Sequence, residues 1–247
     1  MKIVAIIQAR MGSTRLPHKV MLPLGGKPAL YHVVERVGSC SLIDEVVVAT
    51  TELEEDDIIQ RESIKFGART FRGNEKNVLD RYYHAAKDAK ADIIVRITSD
   101  CPLVDPLVLK DMLEMFLTEN ASQQGIDYLS NSLERTFPRG LDAEIFSFNA
   151  LTEAFTNADK TYELEHVTPY IYEHPKKFKL KNFYNITDKS SHRWTLDTIE
   201  DYIFLKKIFD ILYTGKIFST EAVFSLLKKQ PQLMKINAHI EQKEITN

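Results

Sequence analysis

Over the first half of the chain, short apolar runs alternate with segments whose apolar residues recur at helical spacing. Residues 2–8 (KIVAIIQ) are β-branched or apolar at successive positions, which predicts a strand buried on both faces, as in the interior of a parallel sheet. DEVVVAT (44–50) and DIIVRITSD (92–100) repeat that signature, and ARTFRG (68–73) is a shorter version of it. Between them, 25–37, 52–67, 74–91 and 106–119 carry the helical spacing. Pro28 falls in the first turn of the first helix, Gly67 stops the second, Asn74 or Asn77 caps the third and Asp105 caps the fourth. Strand and helix in strict alternation predict an α/β fold with a mostly parallel sheet covered on both faces.

After residue 120 the rhythm changes. DYLSNS and GLDAEIFSF alternate with period two, which predicts antiparallel or edge strands. Helical patterns return at 149–158 and 161–173, FKLKNFYNIT reads as a strand, and helices follow at 198–213 and 219–230 before a polar tail. The expected organisation is a single domain over 1–247, with 120–190 an α+β insertion into the sheet and 198–247 a set of C-terminal helices.

Composition narrows the function classes. Hydrophobic residues make up 44% and charged residues 27%, the balance of an ordinary globular chain. A net charge of −3 and a pI near 6.2 argue against bulk nucleic acid as a partner. The longest apolar runs are too short to span a bilayer, and the N-terminus lacks the apolar stretch of a secretory leader. Cys40 and Cys101 make no disulfide framework, so a reducing cytoplasm is the expected location.

Against that slightly acidic background the first loop stands out. ARMGSTRLPHK (9–19) follows the first strand, at the sheet end where ligands collect in open α/β proteins. Arg10, Arg15 and Lys19 surround Gly12 and Ser13, a set that suits a polyphosphate, because guanidinium forks onto phosphate oxygens and ammonium supplies a compact charge. The spacing is neither the phosphate loop GxxxxGK[ST] nor GxGxxG. The plainer alternative pairs these cations with solvent or with the acidic segment 52–57. Two carboxylates are candidate metal ligands: Asp100 at the end of the strand 92–100, and Asp197 in WTLDTIED. Each also has an ordinary structural reading, as a turn aspartate before Pro102 and as a helix N-cap. Asp142 and Glu144 share one strand face, with Arg139 and Gly140 just before them. Arg72 and Arg81 are further cation candidates, Arg72 the stronger because Arg81 equally suits an exposed helix face. Glu165, His166 and Tyr170 group in EHVTPYIY, no His/Cys spacing makes a zinc site, and Cys101 has no base beside it in sequence.

The order of residues says more than their charge. QARMGSTRLPHKVM resembles the N-terminal signature of the sugar cytidylyltransferases, which activate acidic sugars with CTP and whose form is roughly A-R-x-x-S-x-R-L-P-x-K. RGNEKNVLDRYYHAA, RITSDCPLVDP, PRGLDAEIFS, EHVTPYIY and RWTLDTIEDY extend the resemblance, most strongly to the spore-coat-polysaccharide type, over most of residues 1–205. The resemblance implies a GT-A-like, Rossmann-type nucleotidyltransferase that joins CMP from CTP to an acidic or phosphorylated sugar and releases pyrophosphate. It implies Mg²⁺ on Asp100 and Asp197; nucleotide contacts from Ala9, Arg10, Gly12, Ser13, Arg15, Lys19, Arg72 and Arg81; and catalytic roles for Lys19, Arg10 and Asp100. Arg139, Asp142 and Glu144 would then meet the acceptor, and a homodimer through 120–190 is expected, with no nucleic-acid or membrane partner. Thr195, where the sialic-acid branch carries a second acid, leans toward the Kdo-like arrangement. His18 and Ser99 stand where glycine is common. Two rivals are a glycosyltransferase on the same fold, which normally carries a D-x-D that SDCP lacks, and a non-catalytic nucleotide-binding module, which the retained lysine and both acids oppose.

Overall fold

The computed structural model describes residues 1–122 and 125–242. In chain order the first half runs β1 (Ile3–Gln8), a hairpin of β2 (Pro23–Leu24) and β3 (Lys27–Pro28), α1 (Ala29–Gly38), β4 (Glu45–Thr51), α2 (Asp57–Lys65), β5 (Arg69–Gly73), α3 (Val78–Asp88), β6 (Ile93–Thr98) and α4 (Pro106–Ala121). The second half runs β7 (Tyr128–Ser130), β8 (Glu144–Ser147), α5 (Phe148–Asn157), α6 (Thr161–His166), α7 (Pro169–Tyr172), β9 (Leu180–Asn182), α8 (Ile199–Leu212) and α9 (Thr220–Lys229). One seven-stranded sheet takes the order β5-β4-β1-β6-β8-β7-β9, with β5, β4, β1 and β6 parallel and β8 antiparallel to β6.

The double-sided burial read from residues 2–8 has a direct cause. Ile3, Ala5 and Ile7 pack with α1 and α4 on one face, while Val4 and Ile6 pack with α3 and α5 on the other. Each fully buried aliphatic side chain there contributes roughly 1.5–3 kcal/mol. A third apolar cluster, built from Trp194, Phe204, Phe209 and Leu227, docks α8 and α9 beside the sheet.

The strands of the 120–190 segment extend this same sheet: β7 pairs antiparallel with β8 and parallel with β9. Residues 161–173 form two short helices in place of one. Val167 interrupts them at φ 73°, and the Thr168 N–H donates to the His166 carbonyl at 2.9 Å, a three-residue turn. Pro28 precedes α1 as its cap residue rather than standing inside it. Asn77 caps α3 by accepting from the Asp80 N–H, and Asp105 caps α4 by accepting from the Leu107 N–H. The last residues of the polar tail, 243–247, lie outside the described residues.

Candidate active site

Three distant parts of the chain meet at the carboxyl end of the parallel strands. The Thr98 hydroxyl closes the β6 strand end by donating to Asp100 Oδ1 at 2.5 Å. The Asp100 carbonyl accepts from the Leu196 N–H at 2.8 Å and the Thr195 hydroxyl at 3.2 Å, which docks residues 195–197 on that turn. Asp197 is thereby brought beside Asp100. It is not the cap of α8: Thr198 is, exchanging hydrogen bonds with Asp201, so the Asp197 side chain is left for other partners.

Those partners are cations. The Lys19 ammonium lies 3.0 Å from Asp100 Oδ2 and 2.7 Å from Asp197 Oδ1, and Arg15 reaches Asp197 Oδ2 at 3.2 Å. Burial works against charge on Asp100 and Lys19. At Asp100 the Lys19 charge and the hydrogen bonds from Thr98 and Lys19 outweigh it and hold the carboxyl down to about 2. At Lys19 burial is likewise outweighed by the two carboxylates, which raise its pKa. Lys19 and Arg15 therefore pair with Asp100 and Asp197, not with the acidic segment 52–57.

That acidic segment instead shapes the loop through its backbone. Asp56, fully buried, accepts from the Met11 N–H at 2.6 Å and from the Thr51 hydroxyl. The Met11 carbonyl in turn accepts from Ser13 N–H at 2.9 Å and His18 N–H at 3.1 Å, folding residues 9–19 into a compact loop. Ala9 is buried beside β4, while Arg10, Gly12 and Thr14 are exposed. His18 adopts the left-handed conformation at φ 59°, which explains why glycine suits that position. Ser99 has no such requirement, because its φ is negative like that of nearly every other residue.

The two further arginines divide differently from expectation. Arg72 donates to the carbonyls of Thr51 and Leu53 at 2.8 Å each, to Asp57 and to Gln60, so its guanidinium staples the 51–60 segment and lies outside the Lys19 cluster. Arg81 is not an exposed helix charge: it is buried, donates to the Asn74 carbonyl at 3.0 Å, and leaves Nε without a partner among the described residues. Burial lowers its pKa, and the Arg10 charge lowers it further. Arg10 itself makes no ion pair among the described residues.

Beyond Thr98 the sheet end opens into a cavity of about 490 Å³. Arg96, Arg135, Arg139, Asp142, Glu144, His166 and Thr168 line it. Asp142 and Glu144 share this face as expected, but neither is free. Arg135 forks onto both oxygens of Asp142, at 2.5 and 2.9 Å. Glu144 accepts from Arg96, from the Tyr128 hydroxyl at 2.5 Å and from the Thr168 hydroxyl at 2.6 Å. The half-buried Arg139 guanidinium has no side-chain partner among the described residues. His166 also faces this cavity, where burial lowers its pKa.

Gly140 locks the cavity to the carboxylates. The Arg139 N–H donates to the His192 carbonyl and the Trp194 N–H to the Arg139 carbonyl, at 3.0 and 2.7 Å. A Cβ on Gly140 would lie 2.5 Å from the Trp194 carbonyl carbon, and φ there is +104°. Gly140→Ala is expected to cost about 2 kcal/mol or more, since both the contact and the backbone angle oppose it. The shift would pass along 194–197, so urea midpoint and turnover should fall together; an unchanged midpoint would show that the two segments are not locked.

Among the described residues no three His, Cys, Asp or Glu side chains converge as a metal cage. Two carboxylates converging on one cation is nonetheless what Mg²⁺ takes when phosphate oxygens and water complete its shell, and the Lys19 ammonium stands where both acids can reach one charge. Asp100 and Asp197 therefore fit the ion.

With this geometry in hand, comparison with known proteins is informative. A family model described as cytidylyltransferase matches residues 4–245. The spore coat polysaccharide biosynthesis protein SpsF of Bacillus subtilis is 35% identical over 237 residues, 93% of this chain and 95% of that protein. A 3-deoxy-manno-octulosonate cytidylyltransferase of Trichlorobacter lovleyi is 38% identical over 125 residues, 51% of this chain and 49% of that one. The solved structure of a cytidylyltransferase from Leptospira borgpetersenii superposes with a TM-score of 0.90 at 39% identity, covering 99% of this chain and 100% of that one. The match spans β1 through the C-terminal helices and takes in the loop, Asp100 and Asp197 alike, so the chain belongs to the cytidylyltransferase family and is a nucleotidyltransferase.

Proposed function

We propose that the protein transfers CMP from CTP to an acidic or phosphorylated sugar, with Mg²⁺ bound and pyrophosphate released. The observation that carries this reading is the convergence of Lys19, Arg15, Asp100 and Asp197 at one end of the parallel strands. Arg10, Arg15, Lys19 and the loop around Gly12 and Ser13 bind the triphosphate. Asp100 and Asp197 hold Mg²⁺, which neutralises phosphate charge when bound. An acceptor oxygen, oriented in the cavity, attacks the α-phosphorus; the bond to the bridging oxygen breaks and pyrophosphate leaves with the electron pair. A sugar hydroxyl loses its proton and gives a CMP-sugar, whereas a sugar phosphate gives a CDP-sugar. Arg81, buried on α3 with its Nε unpartnered among the described residues, is a further candidate for the loop's ligand beside Arg10 and Arg15, while Arg72 is taken up by the 51–60 segment.

Ligand binding to the native state raises apparent stability, by about 2.7 kcal/mol at a hundredfold excess over Kd. CTP with Mg²⁺ is therefore expected to raise the melting temperature more than ATP, GTP or UTP does. No shift with any nucleotide would count against the triphosphate site.

The acceptor's charge follows from the cavity. Arg96 and Arg135 are matched by Glu144 and Asp142, so Arg139 supplies the remaining positive charge. An acceptor with a carboxylate or phosphate satisfies it. Arg139→Ala is expected to raise the acceptor KM by about 10- to 100-fold, since a hydrogen bond to a charged group is worth roughly 1.5–3 kcal/mol, and to leave the KM for CTP within a factor of two. Equal effects on both constants would move Arg139 from acceptor to nucleotide.

A further inference from the structure

Asp201 and Arg193, both within RWTLDTIEDY, take no part in the proposed chemistry, yet they form the most heavily bonded polar node beside it. Asp201 lies in the first turn of α8 and is fully buried. Its carboxylate accepts from Arg193 Nε at 2.9 Å, an Arg193 terminal nitrogen at 2.8 Å, the Asp197 and Thr198 N–H groups at 3.1 Å each, and Asn237 Nδ2 at 2.9 Å. A helix cap needs only the exchange with Thr198. The surplus is directed at Arg193.

Arg193 is the cation that most threatens Asp197. Both side chains are more than nine-tenths buried, and the guanidinium nitrogen that Asp201 holds at 2.8 Å stands 3.5 Å from Asp197 Oδ2. A guanidinium released from Asp201 could close that gap and form a direct fork on Asp197. In so dry a setting that pair would compete with any other cation for the same oxygens. As built, Arg193 is forked onto Asp201 and its third nitrogen donates to Gln242 at 2.9 Å, so Asp197 Oδ1 remains turned to the position that the Lys19 ammonium occupies.

We propose that Asp201 is a positioning residue that acts through Arg193: by holding the guanidinium to a single long contact with Asp197, at 3.5 Å, instead of a direct fork, Asp201 keeps Asp197 available to a divalent cation. This rests on the reading of Asp197 as a metal ligand. The Asn237 bond extends the device to the C-terminal segment, because Asn237 Nδ2 touches both the Arg193 carbonyl and Asp201.

The test is Mn²⁺ binding to the full chain without nucleotide, followed by water-proton relaxation. Wild type is expected to bind one Mn²⁺, and Asp197→Asn to lose it; if wild-type binding does not depend on Asp197, the ligand reading fails and the proposal falls with it. Given that dependence, Asp201→Asn should weaken binding at least tenfold. Adding Arg193→Gln to Asp201→Asn should restore it to within about threefold of wild type, because the freed competitor is then gone. A purely structural Asp201 would leave the double variant as weak as the single one, or weaker, and that result overturns the proposal. Arg193→Gln alone covers the case in which Asp201→Asn does not fold: it should bind Mn²⁺ more tightly than wild type, and equal or weaker binding also overturns it.

Discussion

Asp100→Asn is expected to lose at least 10²–10³-fold in pyrophosphate release at saturating CTP, acceptor and Mg²⁺ while remaining folded. The magnitude follows from electrostatic stabilisation, where removing a single preorganised group from a phosphate or oxyanion site costs this much. Folding should be spared for reasons visible in the geometry. Asparagine keeps the shape of the side chain and an oxygen to accept from Thr98, and Lys19 retains its shorter pair to Asp197 at 2.7 Å. A loss of only about 1 kcal/mol in unfolding free energy is expected, because the Lys19 charge left behind still has Asp197 as its partner. Asp197→Asn should differ in the second respect: it strips a partner from Lys19, Arg15 and Arg193 together, so its stability loss should exceed that of Asp100→Asn. Full turnover in Asp100→Asn would remove it from the metal site and leave Asp197 without a second carboxylate.

The parts of this site that the sequence made legible are those fixed by local pattern. β1, β4 and β6 are buried on both faces, which leaves an uninterrupted apolar signature, and the first loop must follow β1 at the ligand end of the sheet. Asp100 is readable in the same way, as the polar residue that ends a buried strand. Asp197 is different, since nothing local separates a carboxylate aimed at Lys19 from one that caps the next helix. Only the ordered set of motifs joined it to a lysine 178 residues earlier. What stayed hidden are roles decided by burial. Asp56 sits in an acidic run that reads as a solvated helix start, yet it is fully enclosed and holds the Met11 N–H. The settings of Arg72 and Arg81 stayed hidden for a similar reason: Arg72 lies on β5 within reach of the Thr51 and Leu53 carbonyls, while Arg81 is buried on α3 with its guanidinium on the Asn74 carbonyl. Val167 breaks a helix whose apolar spacing is continuous, because the Thr168 hydroxyl donates to Glu144 and Pro169, which lacks an N–H, opens a new helix.

Lys19→Met should both abolish turnover and reverse the acid dependence of stability. In the wild type the Asp100 carboxyl is depressed from 3.8 to about 2. A depressed carboxyl stabilises the fold above its unfolded pKa, and the contribution is lost as pH falls from about 4 through about 2. The raised Lys19 pKa stabilises below 10.5 and is lost only as pH rises above that, so between pH 5 and 9 the pair contributes a constant amount. Methionine fills the same volume but removes the only ion-pair partner of Asp100 among the described residues. Breaking a largely buried pair in this way costs on the order of 3–5 kcal/mol, because the remaining charge is left uncompensated. Burial, the largest influence on Asp100, then acts unopposed by that cation and raises its pKa, so relative to the wild type the variant should gain stability as pH is lowered from 7 toward 5, where the intact Lys19–Asp100 pair contributes a constant amount. Millimolar Mg²⁺ should recover part of the lost melting temperature at pH 7 and recover it more in Lys19→Met than in wild type, where the ammonium already occupies the position between the acids. A variant whose stability follows pH as the wild type's does, with no response to Mg²⁺, would show that Asp100 does not depend on Lys19 for its charge.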